Sequence, residues 1–450
     1  MNAVVERKRA PLAVSLGPAM VVQPTSPSEI IQVLTNPKRF PSPVRPMGAG
    51  SSITRCVTAN AGTLLDMSAM DRVLRIEADS VTVQPGIRLQ ALAEALEHEG
   101  LELVGGFDFA NRTAGGAVCG ASFEATIAGD VSQFAGHATQ LKVISPQGKK
   151  FVVTESTKRL LSLMRLSYGL LGIVYEITLR VRPVQGFSVK SGKVSFKDFA
   201  KAGPKLESTG AGVKLYFLPF RDRILFELRQ PAPDAPPGKK YAWKFKDWAV
   251  YSAVPVVARS LARVVPIRQL RYPLIDNLSE VTQSLVSLNF LQSGSNATEQ
   301  SGRHQSLGSG RFNHCTWGFP VADLANVVLS YKLFCKEHYA RTGFRCDMPT
   351  VGFRLNRDRS SLLSPSFDGP IVTLSPLSTQ DAGWDDFVFD FAEFAIKLGG
   401  IPFFNQTKNA TPECANKCFG NRLAFFNKVR RELDPHGRLL NQYFAAYFAS

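Results

Sequence analysis

Two short segments of small residues are the first features of this sequence that could bind a ligand. Residues 48–52 read Gly-Ala-Gly-Ser-Ser, and residues 113–117 read Thr-Ala-Gly-Gly-Ala. Because these residues carry little or no side chain, backbone N–H groups there can approach a pyrophosphate closely. Each segment alone is also typical of a plain tight turn. Their combination, 65 positions apart, indicates one long ligand pressed against the main chain at two places.

The elements that must position these segments can be predicted from hydrophobic spacing. A helix is expected from Ser26, an N-cap residue followed by Glu29 and then by an apolar run. A second helix, with one apolar face, is expected after Gly86, and period-two alternation predicts a series of short strands. The predicted strands are residues 44–47, 63–66, 73–76, 81–84, 141–145, 151–154 and 173–181.

The spacing around the first segment excludes two common phosphate-binding motifs. Position 53 is Ile, so the third glycine of a G-x-G-x-x-G motif is missing. Only about ten residues separate the segment from strand 63–66, which is too few for the helical crossover of a parallel βαβ unit. No Lys-Ser or Lys-Thr pair follows, which excludes a Walker loop.

The composition is that of a basic globular protein with an anionic ligand. The chain has 450 residues, of which 44% are hydrophobic, and a formal net charge of +16. No zinc finger or RNA-binding signature occurs, so no nucleic acid partner is expected. Seven cysteines without a C-x-x-C pair indicate a reduced intracellular protein, and no set of residues has metal-ligand spacing, so no metal is expected.

Residues 243–274 are the one segment that could contact a membrane surface. No run of 18 apolar residues exists, so no transmembrane span is expected. The segment mixes apolar runs with arginine and has no acidic residue after Asp247, as in helices that lie on anionic membranes. The favoured interpretation is a buried helix pair broken by Pro255 and Pro266. The predicted location is cytoplasmic, with peripheral membrane contact as the alternative.

The pattern of the chain changes after Pro183, which predicts a domain boundary. Residues 1–183 form the first predicted domain, which contains both small-residue segments. Residues 184–410 contain proline- and glycine-rich loops with new strand and helix patterns, and form the second. Residues 411–450 return to a helical pattern and are predicted to pack back onto the first domain.

Taken in order, these motifs resemble the PCMH-type FAD-binding domain of the vanillyl-alcohol oxidase superfamily. The resemblance covers residues 43–183 and includes VRPMGAGSS, TLLDMSAMDRVLRI, VTVQPGIRLQALAEAL, RTAGGAV, LKVISPQGK and SYGLLGIVYEITLRVRP. The ordered set is far more specific than any one piece, and LDPHGRLLNQY resembles the closing segment of the family. Three further segments, HCTWGFP, GFRLNRDRSSLLSP and GGIPFFNQTKNATPE, resemble one branch of this superfamily. That branch contains aldonolactone oxidases, alditol oxidase and decaprenylphosphoryl-ribose oxidase.

The resemblance implies an α+β fold with FAD as cofactor. Two α+β subdomains would hold FAD, and a substrate domain would place a large antiparallel sheet over the flavin. The implied chemistry is hydride transfer from a substrate CH–OH group to flavin N5. The implied cofactor-binding residues are Met47, Gly48, Ala49, Gly50, Ser51, Ser52, Ile53, Gly86, Thr113, Gly115, Gly116, Ala117, Cys119, Gly120, Ser122, Ile173, Val174, Phe403 and Asn441.

Four positions depart from the pattern of the family. Ser51 stands where many relatives carry a histidine bonded covalently to FAD, so non-covalent FAD is expected. Phe123 stands at a second family histidine, Gln406 at a lysine, and Gly352 at the glutamate of an E-x-R pair whose arginine is Arg354. The usual charged floor of the active site would therefore be largely replaced.

Alcohol oxidation needs a group that takes the hydroxyl proton as hydride leaves carbon. The catalytic candidates are Arg354, Gln406, Tyr443, His314 and Lys408. Three of them also have a purely structural interpretation. His314 could be a hydrogen-bonded residue of a sheet, Lys408 a solvated surface residue, and Tyr443 a residue of the core. Arg354 could equally pair with Asp358 or stabilise negative charge on the reduced flavin or the substrate.

Three hypotheses follow for the function. The first is an FAD-dependent oxidase or dehydrogenase that acts on a hydroxyl of a polyol, sugar lactone or sugar-lipid and passes electrons to oxygen or another carrier. The second is an oxidase of a less polar secondary metabolite, with Phe403 and Phe404 in its pocket. The third is a flavin-binding protein with degraded catalysis, docked to a membrane through residues 243–274.

Overall fold

A small parallel sheet begins the part of the chain that the computed structural model describes, which is residues 17–106, 111–125, 131–207, 210–236, 238–289, 292–302 and 312–448. Strand β3 (Thr63–Asp66) lies between β1 (Met20–Val22) and β2 (Val44–Met47). Helix α1 (Pro27–Thr35) starts at Ser26, whose hydroxyl accepts from the Glu29 N–H, as predicted. The basic residues 7–9 lie outside the described residues.

A second, antiparallel sheet supports the second small-residue segment. The order of its strands is β4-β5-β9-β7-β8, and β6 also pairs with β9. Period-two alternation directs Val81, Leu141 and Ile177 into one core, where each is fully buried. The elements are β4 (Val73–Ile76), β5 (Ser80–Val83), α2 (Leu89–His98), β6 (Leu101–Leu103), α3 (Ala114–Cys119), β7 (Ala138–Ile144), β8 (Lys150–Thr154), α4 (Lys158–Met164) and β9 (Ile173–Pro183).

A sheet of eight strands forms the second half of the fold, in the order β13-β10-β12-β11-β16-β17-β15-β19. Its ladders are antiparallel, as the predicted fold class requires. The strands are β10 (Gly186–Val194), β11 (Gly212–Leu218), β12 (Arg223–Pro231), β13 (Ser293–Ser295), β15 (Trp317–Pro320), β16 (Thr350–Leu355), β17 (Ile371–Leu374) and β19 (Ile401–Pro402), while β14 (Asn313–His314) pairs with β18 (Leu377–Ser378).

The two faces of the large sheet pack against different cores. Leu215 and Phe217 on β11 join a core with α5 (Phe196–Glu207), α10 (Leu324–Thr342) and α11 (Trp384–Lys397). The alternate β11 residue Tyr216 and Phe353 on β16 join the core of the antiparallel sheet that contains β5, β7 and β9. Further helices are α6 (Lys240–Trp248), α7 (Val254–Val264), α8 (Arg268–Asn289) and α9 (Asn296–Gly302).

The C-terminal helices α12 (Pro412–Leu433) and α13 (Gln442–Phe448) are tied to the first strands. The buried Arg45 guanidinium donates to the carbonyl of Leu439 at 2.7 Å and to that of Cys56 at 2.9 Å. Arg438 donates in turn to the carbonyl of Val33 at 2.6 Å. These contacts agree with a C-terminal segment that returns to the first domain, while the boundaries at 183 and 410 remain predictions.

Candidate active site

A cleft of about 800 Å³ lies between the parallel sheet and the α3 segment. Of the predicted cofactor-binding residues, Met47, Gly48, Ala49, Gly50, Ser51, Ser52, Thr113, Gly115, Gly116, Cys119, Gly120 and Val174 line it. The fold therefore brings both small-residue segments to one cleft, which we call the glycine-lined cleft.

The first wall of the cleft follows β2 directly. Gly48 approaches Thr113 so closely that a Cβ there would lie 2.1 Å from the threonine hydroxyl oxygen. Gly50 adopts a φ of +67°, a conformation that side-chain-bearing residues rarely take. A compact turn of this kind needs glycine at both positions, and it exposes main chain to the cleft.

The second wall is the start of α3. The Thr113 hydroxyl accepts a hydrogen bond from the Gly116 N–H at 3.2 Å, which fixes the first turn. A Cβ at Gly115 would lie 2.8 Å from the Cβ of Pro85, so the helix packs tightly on the preceding loop. Small residues are therefore required both for packing and for access to the cleft.

One buried cation stands in the wall of the cleft. Arg112 is only 2% exposed and donates to the carbonyl of Ala121. Among the described residues that line the cleft, none is Asp or Glu. A wall of main chain and one guanidinium therefore fits the pyrophosphate and the ring carbonyls of a flavin dinucleotide.

The Ala121 carbonyl joins the two halves of the fold at the inner end of the cleft. Asn405 donates to it at 3.0 Å and Gln406 at 3.1 Å, both from the segment after β19. Asn405 also lines the cleft, and its carbonyl accepts from the Ile53 N–H at 3.1 Å. Gln406 is 2% exposed, and its buried amide holds the Ala121 main chain in place through this hydrogen bond.

The other predicted cofactor-binding residues lie behind the cleft and do not line it. Ala117, Ser122 and Ile173 are fully buried, and the Asn441 amide donates to the carbonyls of Arg55, Cys56 and Thr58. Since Cys56 lines the cleft, Asn441 supports its wall from outside. The residues placed behind the cleft are Ile53, Gly86, Ala117, Ser122, Ile173, Phe403 and Asn441.

Phe403 and Phe404 do not form one apolar pocket. Phe403 is fully buried, and its ring lies 5.0 Å from that of Phe123. Phe404 points into the C-terminal packing, with ring centroids 5.6 Å from Tyr168 and 5.0 Å from Tyr447. The two adjacent rings therefore pack against different residues, and they do not line one pocket as predicted.

Arg354 is not brought to the cleft. It pairs with Val372 and shares the face of the sheet that the helices cover. Its guanidinium donates to Asn356 at 2.8 Å. A Cβ at Gly352, on the same face, would lie 2.8 Å from the Phe217 ring, so this packing leaves no room for the glutamate of the family.

Tyr443 also occupies a structural position. Its hydroxyl donates to the carbonyl of Phe404 at 2.8 Å. Burial raises the pKa of Tyr443 well above its ordinary value, so the phenol stays protonated. The hydroxyl helps to hold the segment that carries Asn405 and Gln406.

His314 and Lys408 lie close to each other, outside the cleft. Burial, with Arg112 and Lys408 nearby, lowers the pKa of His314 to about 4, so the imidazole is neutral at neutral pH. The Lys408 ammonium lies 3.8 Å from the largely exposed Asp385 carboxylate. Of the five catalytic candidates, Gln406 and Tyr443 thus bond to main chain next to the cleft, at Ala121 and Phe404.

Several cleft residues were missed by the sequence reasoning. Arg112 directly precedes the second small-residue segment, and Asn405 directly precedes Gln406, so position along the chain was the available signal for both. The run from Tyr168 to Gly172 carries two positive-φ glycines. The missed lining residues are Pro46, Cys56, Val57, Met67, Pro85, Arg112, Tyr168, Gly169, Gly172 and Asn405.

A cluster of buried charges was also missed, at the boundary between the large sheet and the antiparallel sheet that contains β5, β7 and β9. Lys214 on β11 has its ammonium 3.8 Å from the Glu124 carboxylate, and both side chains are nearly inaccessible to solvent. Lys214 stands within a strand, where hydrophobic period alone does not reveal a buried charge.

Comparisons with known proteins agree with what the fold and the cleft define, a flavoprotein of the PCMH type. Residues 18–154 match the family described as FAD binding domain, and residues 177–447 match that described as D-arabinono-1,4-lactone oxidase. The second match spans more than half of the chain, which therefore belongs to the D-arabinono-1,4-lactone oxidase family and is an FAD-dependent oxidoreductase. The predicted family, fold class and cofactor are confirmed.

Individual relatives differ in how much of the chain they share. L-gulonolactone oxidase of Bos taurus is 22% identical over 96% of this chain and 95% of its own length. Mitochondrial D-lactate dehydrogenase [cytochrome] of Arabidopsis thaliana is 32% identical, but over only 38% of this chain and 32% of its own length. Cholesterol oxidase from Brevibacterium sterolicum has the same fold, with a TM-score of 0.73 at 12% identity over 95% of this chain and 94% of its own.

Proposed function

We propose that this protein binds FAD non-covalently in the glycine-lined cleft and oxidises a CH–OH group of a polyol or sugar lactone. The observation that carries the proposal is the convergence of both small-residue segments, Arg112 and Asn405 on one cleft at the edge of the large sheet. The gulonolactone oxidase relative, matched over nearly its whole length, supports a sugar lactone as substrate.

The residues of the chain divide the work as follows. FAD, when bound, supplies the hydride acceptor. Residues 47–52 and the Thr113–Gly116 turn would hold the pyrophosphate through main chain, and Arg112 would offset its charge. Asn405 and Gln406 fix the Ala121 carbonyl and so the position of the wall between cofactor and substrate domain. The fixed geometry orients the reacting groups.

Non-covalent attachment is supported by the nucleophiles near the cleft. Ser51 replaces the histidine that many relatives use, and none of the described residues that line the cleft is a histidine. Cys119 lines the cleft, but burial raises the pKa of its thiol to about 12, so it remains a poor nucleophile.

Anaerobic reduction of the holoenzyme tests the proposal. The purified yellow protein is mixed with xylitol, L-gulono-1,4-lactone, cyclohexanol or a lipid-linked sugar, and the flavin absorbance is followed. Bleaching by a polyol or lactone supports the proposed function. Bleaching by cyclohexanol alone would favour the less polar substrate, and no bleaching by any donor would contradict an active CH–OH oxidoreductase.

A second proposal concerns helices α6–α8, which we propose contact an anionic membrane surface. No helix among the described residues is long and apolar enough to cross a membrane. These helices nevertheless expose apolar side chains that a buried helix pair would have covered. The exposed residues are Tyr241, Phe245, Trp248, Val256, Val257, Val264, Ile267, Leu270, Leu274 and Val281, which together we call the apolar ridge.

Charge around the apolar ridge matches anionic lipid. Between Asp247 and Asp276 the chain has four arginines and no acidic residue. Asp247 is 8% exposed and Asp276 is paired with Arg345 at 2.8 Å, so the nearest acids do not offer free negative charge to the surface. Basic residues beside exposed apolar ones are typical of helices that lie in a membrane interface.

Co-sedimentation with vesicles tests this contact. The holoenzyme should sediment with phosphatidylcholine–phosphatidylserine vesicles at low salt, and Val264→Glu, at a site 78% exposed, should weaken this. The control Leu333→Glu changes an equally apolar side chain on α10, 56% exposed, and should leave sedimentation unchanged. Equal binding of both variants would count against the ridge.

A further inference from the structure

Six charged side chains are buried together where the large sheet meets the antiparallel sheet that contains β5, β7 and β9. Three are carboxylates and three are cations, and each is at most 5% exposed. Glu124 comes from the segment after α3, and the others come from the large sheet and its helices. The members of this boundary ion cluster are Glu124, Lys214, Glu227, Arg229, Lys246 and Glu299.

Most of the cluster is tightly paired within the substrate domain. Arg229 holds Glu299 through two hydrogen bonds of 2.8 Å, and Lys246 holds Glu227 at 2.5 Å. Burial alone would raise the pKa of Glu227, but Lys246, Lys214 and Arg229 lower it to about 2. These ion pairs fix the charge states of the buried residues around Lys214.

The pair between Lys214 and Glu124 is different. Its ammonium and carboxylate are 3.8 Å apart and come from opposite sides of the boundary between the two sheets, and the carboxylate also accepts from the Ala125 N–H at 3.3 Å. A buried ion pair contributes little net stability because its desolvation offsets the attraction. Buried charges with specific partners beside a cavity are therefore candidates for a functional site.

An aromatic wall connects this pair to the glycine-lined cleft. The Lys214 ammonium lies 5.2 Å from the Phe353 ring centroid, and the Phe353 ring lies 5.9 Å from Phe123. Phe123 contacts Phe403 at 5.0 Å, and Phe403 stands two residues before the cleft residue Asn405. A continuous set of packed rings therefore extends from the pair to the segment that carries Asn405.

A polar cavity adjoins Glu124, whose carboxylate lies 3.8 Å from the Lys214 ammonium. Glu124 lines it together with Arg229, Asn296, Glu299 and Gln300. Apolar rings next to fixed hydrogen-bonding groups suit a polyhydroxylated ligand, whose C–H faces pack on rings while its hydroxyl groups bond to charged side chains.

We propose that Lys214 and Glu124 form the subsite that binds the hydroxyl groups of the substrate and selects a polyol or sugar lactone. This inference rests on the proposed function and assigns its specificity. The ammonium donates to substrate oxygens and the carboxylate accepts from substrate hydroxyls, with the rings of Phe134 and Phe187, which line the cavity, against the carbon skeleton. Both are positioning residues, and no proton or hydride step is assigned to them.

The test compares Lys214→Met and Glu124→Gln with two variants that remove buried or half-buried charges elsewhere in the substrate domain. The matched controls are Lys332→Met, which breaks a 2.6 Å pair with Asp222, and Asp276→Asn, which breaks the pair with Arg345. Binding of xylitol and L-gulono-1,4-lactone to the holoenzymes is measured from changes in the flavin spectrum, and KM and kcat are measured separately. FAD content and melting temperature report folding.

The two subsite variants should weaken binding of both probes and raise KM about ten- to hundredfold, the size of a hydrogen bond to a charged group. kcat and cyclohexanol binding should change little, and both controls should bind like the wild type. Wild-type affinity in Lys214→Met and Glu124→Gln, or no spectral change with either probe in the wild type, would overturn the subsite. Binding that Lys214→Met weakens, without flavin reduction by any donor, would keep the subsite and contradict the proposed oxidation.

Discussion

Gly48 and Thr113, 65 positions apart in the chain, touch across the entrance to the glycine-lined cleft. A Cβ at Gly48 would lie 2.1 Å from the Thr113 hydroxyl oxygen, which also accepts from the Gly116 N–H. The absence of a side chain at Gly48 therefore sets the distance between the two walls that would hold FAD. Neither wall can be repositioned alone, since the same hydroxyl caps α3.

Gly48→Ala should separate these walls and weaken FAD binding. Overpacking of this kind typically costs about 1–3 kcal/mol, so the dissociation constant for FAD should rise by about tenfold or more. Quenching of FAD fluorescence by apoprotein measures this constant. Gly369→Ala is the matched control, because nothing lies within 4 Å of its Cβ position, and its FAD affinity should be unchanged.

Arg112→Met should also lower FAD affinity, because it removes a positive charge; Gly48→Ala, by contrast, adds a side chain where there is no room. Hydrogen bonds to charged groups contribute about 1.5–3 kcal/mol, which again corresponds to about tenfold or more in the dissociation constant. Arg88→Met is the control, since Arg88 likewise donates to a backbone carbonyl, that of Asn111, but does not line the cleft. Equal FAD affinity of the two variants would remove Arg112 from the binding site.

Gln406→Leu should destabilise the protein by about 1–3 kcal/mol, because its buried amide would lose the 3.1 Å bond to Ala121. Gln147→Leu offers a close comparison, because the exposed Gln147 amide donates to the Leu433 carbonyl at 2.7 Å. Its loss should stay within about 0.5 kcal/mol. Urea unfolding of both holoenzymes gives the two values. A smaller effect at Gln406 would show that Asn405 alone fixes the wall.

Stability should fall as the pH is lowered below 6.5, in part because of His137. Burial, together with Arg180 and Arg165, lowers the pKa of His137 from 6.5 to about 3 in the folded protein. Between these values the unfolded chain binds a proton that the folded chain does not, so the free energy of unfolding decreases by about 1.4 kcal/mol per pH unit. His137→Gln should flatten the pH dependence of unfolding from pH 6 to 4 by about that slope.

The control for His137→Gln is His98→Gln, at the last residue of α2, which should keep the wild-type pH dependence. Both variants are compared above pH 7, where neither the folded nor the unfolded chain carries charge on His137. An unchanged slope in His137→Gln would mean that other groups dominate acid unfolding.

Acid precipitation tests the attachment of FAD. Because Ser51 cannot form a histidyl link and the Cys119 thiol has a raised pKa, all of the flavin should remain in the supernatant. Flavin in the pellet would reveal a covalent bond. The variant Ser51→His tests whether a histidine at this position is sufficient for covalent attachment. Yellow colour retained in its acid-precipitated pellet would indicate a new covalent link.

Local patterns in the sequence predicted seven strands and two helices of the FAD-binding half, but not β1, β6, α3 or α4. The strands β7 (Ala138–Ile144) and β8 (Lys150–Thr154) and the helix that starts at Ser26 follow from alternation, turn residues and a cap. These signals depend on interactions between residues near each other in the chain. The clustering of glycine and alanine similarly indicated where the backbone could approach a ligand.

The position of a side chain on one or the other face of the large sheet was not predictable in the same way. Arg354 and Phe353 are neighbours in sequence, yet one shares a face with Val372 and the other pairs with Lys214. Which face of a strand meets the cofactor depends on strand order and register. Because β11 and β16 are buried on both faces, alternation of apolar residues does not distinguish the two faces. The catalytic candidates were therefore chosen by type and resemblance, and Gln406 and Tyr443 bond to main chain beside the cleft without lining it.

By itself, the sequence determined that this protein is an FAD-dependent oxidoreductase with an α+β fold, because its ordered motifs resemble those of the PCMH-type FAD-binding family. Only the tertiary structure decided that Arg112 and Asn405 enter the cleft and that Lys214 meets Glu124. These contacts join residues far apart in the chain. Their distances follow from how two sheets pack, and no local pattern encodes such packing.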